Sequence, residues 1–136
     1  MELDRAREFA RHHHRAVLAT RTASGGVQQT PVLVTLDEAG CFVVSSRETA
    51  YKTKNLRERP VAQLLLLNDQ FFGDWFTVEG EAEVVSLPDA MEPLIDYYRS
   101  IAGEHDDWDD YRAAMARDQR VLIRIHARRA GPDRQG

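Results

Sequence analysis

A single cysteine, Cys41, stands in a chain of 136 residues. One thiol cannot close an intrachain disulfide or build a Cys-rich zinc site, and such usage agrees with a reducing compartment. No apolar run, such as Leu64 to Leu67, approaches the roughly 20 residues that a membrane-spanning helix requires. The N-terminus opens with charges and not with an apolar signal core, so the expected location is cytoplasmic, without a membrane partner. Neither G-x-G-x-x-G after a strand nor G-x-x-x-x-G-K-[ST] occurs, which removes the nicotinamide-type Rossmann fingerprint and the P-loop. No G-x-S-x-G nucleophile elbow is present, and hydrolase chemistry finds no support. The net charge of −4 gives no general pull toward nucleic acid.

What is there suffices for one domain. Hydrophobic residues make up 43% of the chain, charged residues 29%, with eight Gly and five Pro; that mixture argues for a packed core and against disorder. Leu3, Ala6, Phe9 and Ala10 recur at helical spacing over Glu2 to Arg11. Strands are expected at Ala16–Thr20, Val27–Leu36 and Cys41–Ser46, the first two joined by the Ser24-Gly25-Gly26 turn. Pro31 removes a backbone donor, which places its strand at an edge or kinks it. Thr49 is positioned to cap a short helix over Ala50–Arg57 that Pro60 ends. Val61–Leu67 and Trp75–Ser86 read as strands, the latter with Val78, Gly80, Ala82 and Val84 on one side. Helices follow from Pro88 to Ile101 and from Trp108 to Arg117, and Arg120–Ala127 is a last strand. Residues 1–127 then form one domain, and 128–136 a polar, frayed tail. Six strands with these helical insertions do not alternate as βαβ units do; a small, mainly β barrel fits better.

Several candidates for chemistry fall away. His12, His13 and His14 are adjacent, but neighbouring side chains diverge by about 100° on a helix and face opposite ways on a strand, so a polar junction outweighs a metal site. His105 and His126 stand alone. The acidic run Glu104–Asp110 lacks the spacing of a calcium loop. The strongest local signal lies between Arg47 and Arg59, where Arg47, Lys52, Lys54, Arg57 and Arg59 face only Glu48 and Glu58. Ser45-Ser46-Arg47 ends a strand and runs into a helix start, bringing hydroxyls, free N–H groups and cations together, the ingredients of a phosphate cradle. Lys52 and Asn55 share one helical surface while Leu56 is free to pack inward. A solvated basic helix is the plain alternative.

Ala16-Val17-Leu18-Ala19-Thr20, Thr30-Pro31-Val32, Lys52-Thr53-Lys54-Asn55-Leu56-Arg57 and Val78-Glu79-Gly80-Glu81-Ala82 resemble the flavin split-barrel, pyridoxamine-phosphate-oxidase-like proteins. Tyr98-Arg99-Ser100-Ile101-Ala102-Gly103-Glu104-His105, with Trp108-Asp109-Asp110-Tyr111-Arg112 and Arg120-Val121-Leu122, is similar to the branch that uses the deazaflavin coenzyme F420. The resemblance implies a six-stranded split β-barrel and a homodimer with cofactor sites between subunits. It implies that Ser45, Arg47, Lys52, Thr53 and Asn55 hold the phosphate and polar tail of F420, that Gln28 and Pro31 line the ring pocket, and that Trp75 covers the ring or substrate from the partner. Lys54 and Arg57 are expected to meet the anionic end of the coenzyme. The implied activity is hydride transfer to an unsaturated small molecule, with no catalytic residue of the protein's own. An FMN-binding oxidase or reductase on the same fold, or a non-catalytic F420-binding or carrier protein, are the alternatives.

Overall fold

The computed structural model describes residues 2–131. Four helices and seven strands follow in the order α1 (Glu2–His12), β1 (Arg15–Arg21), β2 (Val27–Leu33), β3 (Thr35–Leu36), β4 (Phe42–Arg47), α2 (Tyr51–Glu58), β5 (Val61–Leu67), β6 (Trp75–Val85), α3 (Met91–Ala102), α4 (Trp108–Arg117) and β7 (Arg120–Gly131). All strand pairs are antiparallel, and the sheet order is β2-β1-β5-β6-β7-β4-β3. The two edge strands, β2 and β3, are consecutive in sequence. Only Val34 separates them, so the chain itself ties the two edges together and the sheet curls into a half-barrel.

That crossover explains why seven strands replace the expected six. The segment Val27–Leu36 alternates like one strand, but it breaks at Val34, which is fully buried. Val34 N–H donates to the His14 carbonyl at 2.7 Å and its own carbonyl meets His14 Nδ1 at 2.9 Å. Before the break the chain pairs with β1, after it with β4. Pro31 sits opposite Val17 on edge strand β2, where a missing donor costs no ladder bond on the open side.

Alternation along the strands builds two cores. Ala16, Leu18, Phe42, Val44, Leu64, Leu66, Val78, Ile123 and Ile125 point inside the curl, with Ala6 and Ala10 of α1 and Leu56 of α2 packed against them. On the outer face of β4 and β7, Val43 and Leu122 meet Leu94 and Ile95 of α3 and Tyr111 of α4. Asp107 caps α4 by accepting from Asp110 N–H at 3.1 Å. The α2 start differs from expectation: Ala50, not Thr49, is the cap residue and makes no side-chain cap bond. Helix α3 begins at Met91, after a turn that contains Pro88, and not at the proline itself.

β7 continues to Gly131, so residues 128–131 belong to the sheet and are not a frayed tail; residues 132–136 lie outside the described residues. A register shift makes this extension possible. Gly80 pairs with Ala127 and Glu79 with Arg129, so Arg128 is the extra residue of a bulge. A Cβ on Gly80 would collide with the His126 carbonyl oxygen and stand 2.8 Å from the Ala127 Cα, both backbone atoms that cannot swing aside. Gly80→Ala is therefore expected to cost about 1–3 kcal/mol through overpacking. Urea unfolding should show a lowered midpoint at unchanged slope; an unchanged midpoint would show that β7 yields without penalty.

Candidate functional site: a cation cluster at the β4–α2 junction

The outer face of β4 and β7 is organised in rows. Arg47 lies directly opposite Arg120 at the end of the ladder, and Ser45 opposite Leu122 one row in. The chain then turns through residues 48–50 into α2, whose first turn brings Lys52 over this end. Burial disfavours the ammonium of Lys52, and the neighbouring Arg120 and Arg47 repel it, so its pKa is lowered from the ordinary lysine value. Three cations thus crowd into one place. Among the described residues no carboxylate lies within 4.0 Å of any of them. Arg120 Nε is buried and has no hydrogen-bond partner there.

A folded protein gains nothing by gathering like charges and leaving a buried guanidinium nitrogen unpaired. An anion removes both penalties together. A phosphate suits the arrangement, because arginine forks and a lysine point charge match its oxygens. Arg120 is the residue that sequence reasoning missed as a ligand. It lies far from the basic segment along the chain, and only the β4–β7 register makes it the neighbour of Arg47.

The other expected site residues divide. Thr53 is fully buried; its hydroxyl donates to the Arg47 carbonyl at 2.6 Å and lies 2.8 Å from Ser46 Oγ. Those bonds fix the end of β4 against α2 and turn Thr53 away from the surface, so it sets the position of Arg47 from inside. Asn55 Nδ2 donates to Thr20 Oγ1 at 3.1 Å and Gln28 Oε1 at 3.3 Å, which brings Asn55 and Gln28 together beneath α2. Pro31, three residues further on β2, faces the opposite side of the strand from Gln28. Ser45 is half-buried, beside Tyr97, whose hydroxyl donates to the Leu33 carbonyl at 2.8 Å. Burial raises the pKa of Tyr97; burial, then Tyr97, push Tyr111 up to about 12.

Trp75 starts β6 opposite Leu67, whereas α2 packs near the Thr20–Ala62 end of β1 and β5. That separation is roughly 17 Å along the strands, so Trp75 does not join the cation cluster of its own chain. Arg57, in contrast to Lys52, is already paired with Glu48 and with Ser86 Oγ at 2.8 Å. Lys54 is exposed, with its Nζ 6.0 Å from the Tyr51 ring centroid.

The cluster makes a prediction about anions in general. Lys52→Met relieves repulsion, so the free protein should melt no lower than wild type, while its dissociation constant for pyrophosphate rises about 10–100-fold, the equivalent of one charged hydrogen bond. A bound anion favours the charged lysine. Affinity should therefore be full below the lowered Lys52 pKa and decline as pH rises through it, earlier than for an ordinary lysine. Calorimetric titration of wild type and variant across pH reads both effects; equal affinities would remove Lys52 from the site.

The sequence matches the family described as Pyridoxamine 5'-phosphate oxidase over residues 3–131. Among solved structures, the conserved hypothetical protein Rv2991 from Mycobacterium tuberculosis superposes with a TM-score of 0.75 at 23% identity, covering 96% of this chain and 82% of that one. A protein described as an F420 reductase gives 0.71 at 16% identity, covering 91% and 94%. HutZ, the heme storage protein from Vibrio cholerae, gives 0.72 at 16% identity, covering 96% and 94%. These likenesses, all below 25% identity, are likenesses of fold. The chain belongs to the pyridoxamine 5'-phosphate oxidase family.

Proposed function

We propose that this protein is an F420-dependent reductase, acting in the cytoplasm as a homodimer on an unsaturated small molecule. The observation that carries the reading is the group Arg47, Lys52 and Arg120, three cations without a carboxylate among the described residues and with one guanidinium nitrogen buried and unpaired. Such a cluster fits the phosphodiester of the coenzyme. The likeness to a structure described as an F420 reductase supports the choice of coenzyme.

In this reading Arg47, Lys52 and Arg120 bind the phosphodiester by charge-assisted hydrogen bonds, with Ser45 beside them. Thr53 holds the strand end that presents Arg47. Gln28 and Asn55, tied to each other and to Thr20, form the polar wall next to the cluster. Exposed Lys54 meets the anionic tail weakly, as an exposed ion pair does, with about 0–1 kcal/mol. The bound deazaflavin supplies the hydride; the protein's contribution is to orient the coenzyme and substrate and to exclude water.

The outer face of β2, β1, β5 and β6 supports the dimer. Val27, Leu33, Val61 and Trp75 are all at least 39% exposed there, and Pro31, Val17 and Leu65 lie between them. A groove of about 560 Å³ on this face is lined by Val17, Ala19, Leu65, Thr77 and Arg129. A second copy placed on it buries the apolar residues and brings Trp75 and Pro31 toward the interface, where cofactor sites between subunits need them.

FMN is the second reading, because the same three cations suit its terminal phosphate and the family bears the name of an oxidase. Titration with F420 and with FMN, followed by tryptophan fluorescence, separates the two. The expected result is saturable F420 binding at one site per chain, in a species that sediments as a dimer, with Lys52→Ala weakening it about tenfold or more. Preference for FMN would transfer the site to that flavin. Tight F420 binding without oxidation of the reduced coenzyme by any of a panel of enones, nitroaromatics and quinones would make the protein a carrier.

A further inference from the structure

A second groove, of about 730 Å³, opens on the outer face of β4 and β7 alongside α3. Its floor holds a chain of three side chains that the cofactor reading does not use. Cys41 stands one row beyond the Phe42–Ile125 pair, directly opposite His126. Cys41 Sγ lies 3.4 Å from His126 Nδ1, and His126 Nε2 lies 3.2 Å from Glu83 Oε1 on β6. The neighbours fix the sense of these bonds. Glu83 is held below the ordinary carboxylate range, first by the His126 hydrogen bond and also by Arg124, so it is an acceptor and Nε2 carries the proton. Nδ1 is then the free lone pair, and the thiol donates to it.

From this geometry we propose that the groove is a thiol–disulfide exchange site, with Cys41 as nucleophile, His126 as its base, Glu83 as the positioning residue and a small disulfide bearing ammonium groups as substrate. The arrangement follows the general logic of an activated nucleophile: nucleophile on base, base on a third group that orients it. Burial and the nearby Asp37 carboxylate raise the Cys41 pKa, against the pull of Arg124 and Arg7. The resting group is therefore a thiol that needs a base, and the base is in contact with it. Arg124 braces the device by donating to Asp37 at 2.9 Å and Glu83 at 3.4 Å.

The step balances without an external oxidant. The Cys41 proton passes to His126 Nδ1 as Sγ attacks one sulfur of the disulfide. A new Cys41 S–S bond forms, the substrate S–S bond breaks, and the leaving thiolate takes the proton from His126. Substrate charge follows from the lining. Glu38 and Asp96 border the groove; Arg99 does too, but Glu104 holds it at 2.7 Å with Asp96 at 4.0 Å, and Arg124 is held by Asp37 and Glu83, so carboxylates are in excess and suit a ligand carrying ammonium groups.

The test uses the intact protein with two probes, cystamine, which carries two ammonium groups, and the uncharged 2,2'-dithiodipyridine, with N-acetylcysteine as the reference thiol at pH 7. The expected result is one mixed disulfide per chain, at Cys41 by mass spectrometry, formed about tenfold or more faster than with N-acetylcysteine. The ratio of cystamine to dithiodipyridine rates should also exceed that of the reference thiol. His126→Ala and His126→Gln should each lower the rate about tenfold or more, and added imidazole should restore the alanine variant in part, which a merely structural histidine would not allow. If both variants fail to fold, Glu83→Gln carries the same direction of effect. A native thiol slower than N-acetylcysteine, or a rate indifferent to all three substitutions, overturns the proposal, as does a cystamine-to-dithiodipyridine ratio no higher than that of the reference thiol.

Discussion

The architecture depends on one short connection. β2 and β3 lie at opposite edges of a seven-stranded sheet, yet only Val34 separates them in the chain. Adjacent Cα atoms stand about 3.8 Å apart, so the two edges must meet and an open, flat sheet is not available to this sequence. The crossover is secured from both sides, by the apolar side chain of Val34 in the core and by its two backbone bonds to His14. Everything inside the curl, and the closure by α1 and α2, follows from that constraint.

Closing the sheet in this way leaves the outer face of β4 and β7 as a platform. Its middle is covered by α3 and α4 through Val43, Leu122, Leu94 and Tyr111. Its two ends remain polar. At one end the strand register forces Arg47 against Arg120 and the helix start adds Lys52; at the other it sets Cys41 against His126. Elsewhere on the sheet, cross-strand cations meet carboxylates, as Arg129 meets Glu79 at 2.6 Å and Arg128 meets Glu81 at 2.7 Å. The end of the β4–β7 ladder departs from that habit, and a departure that opposes stability is a physical reason to look for a ligand.

Much of this could be read from the residues. The alternation of Val78, Gly80, Ala82 and Val84 placed one side of β6 in the core, and the helix read at Trp108–Arg117 has the bounds of α4. The Pro31 edge strand was legible for the same reason, since a missing donor restricts where a strand can sit. What stayed hidden depends on distant partners. Nothing local distinguishes Val34 from any other alternating valine; its break appears only when β1 and β4 compete for the same segment. The bulge that carries β7 to Gly131 is set by Gly80, on a different strand. Arg120 joined the basic cluster through register, and Cys41 and His126, each isolated in the sequence, became neighbours the same way. Thr53 was legible as part of the junction, but the direction of its hydroxyl was not.

A crystal structure of the protein with F420 bound would show whether the three cations hold the coenzyme's phosphate. Phosphodiester oxygens are expected within hydrogen-bond distance of Lys52, Arg47 and Arg120, with Arg120 Nε paired. A coenzyme whose phosphate lies elsewhere, leaving those three cations facing one another without an anion, would contradict this expectation.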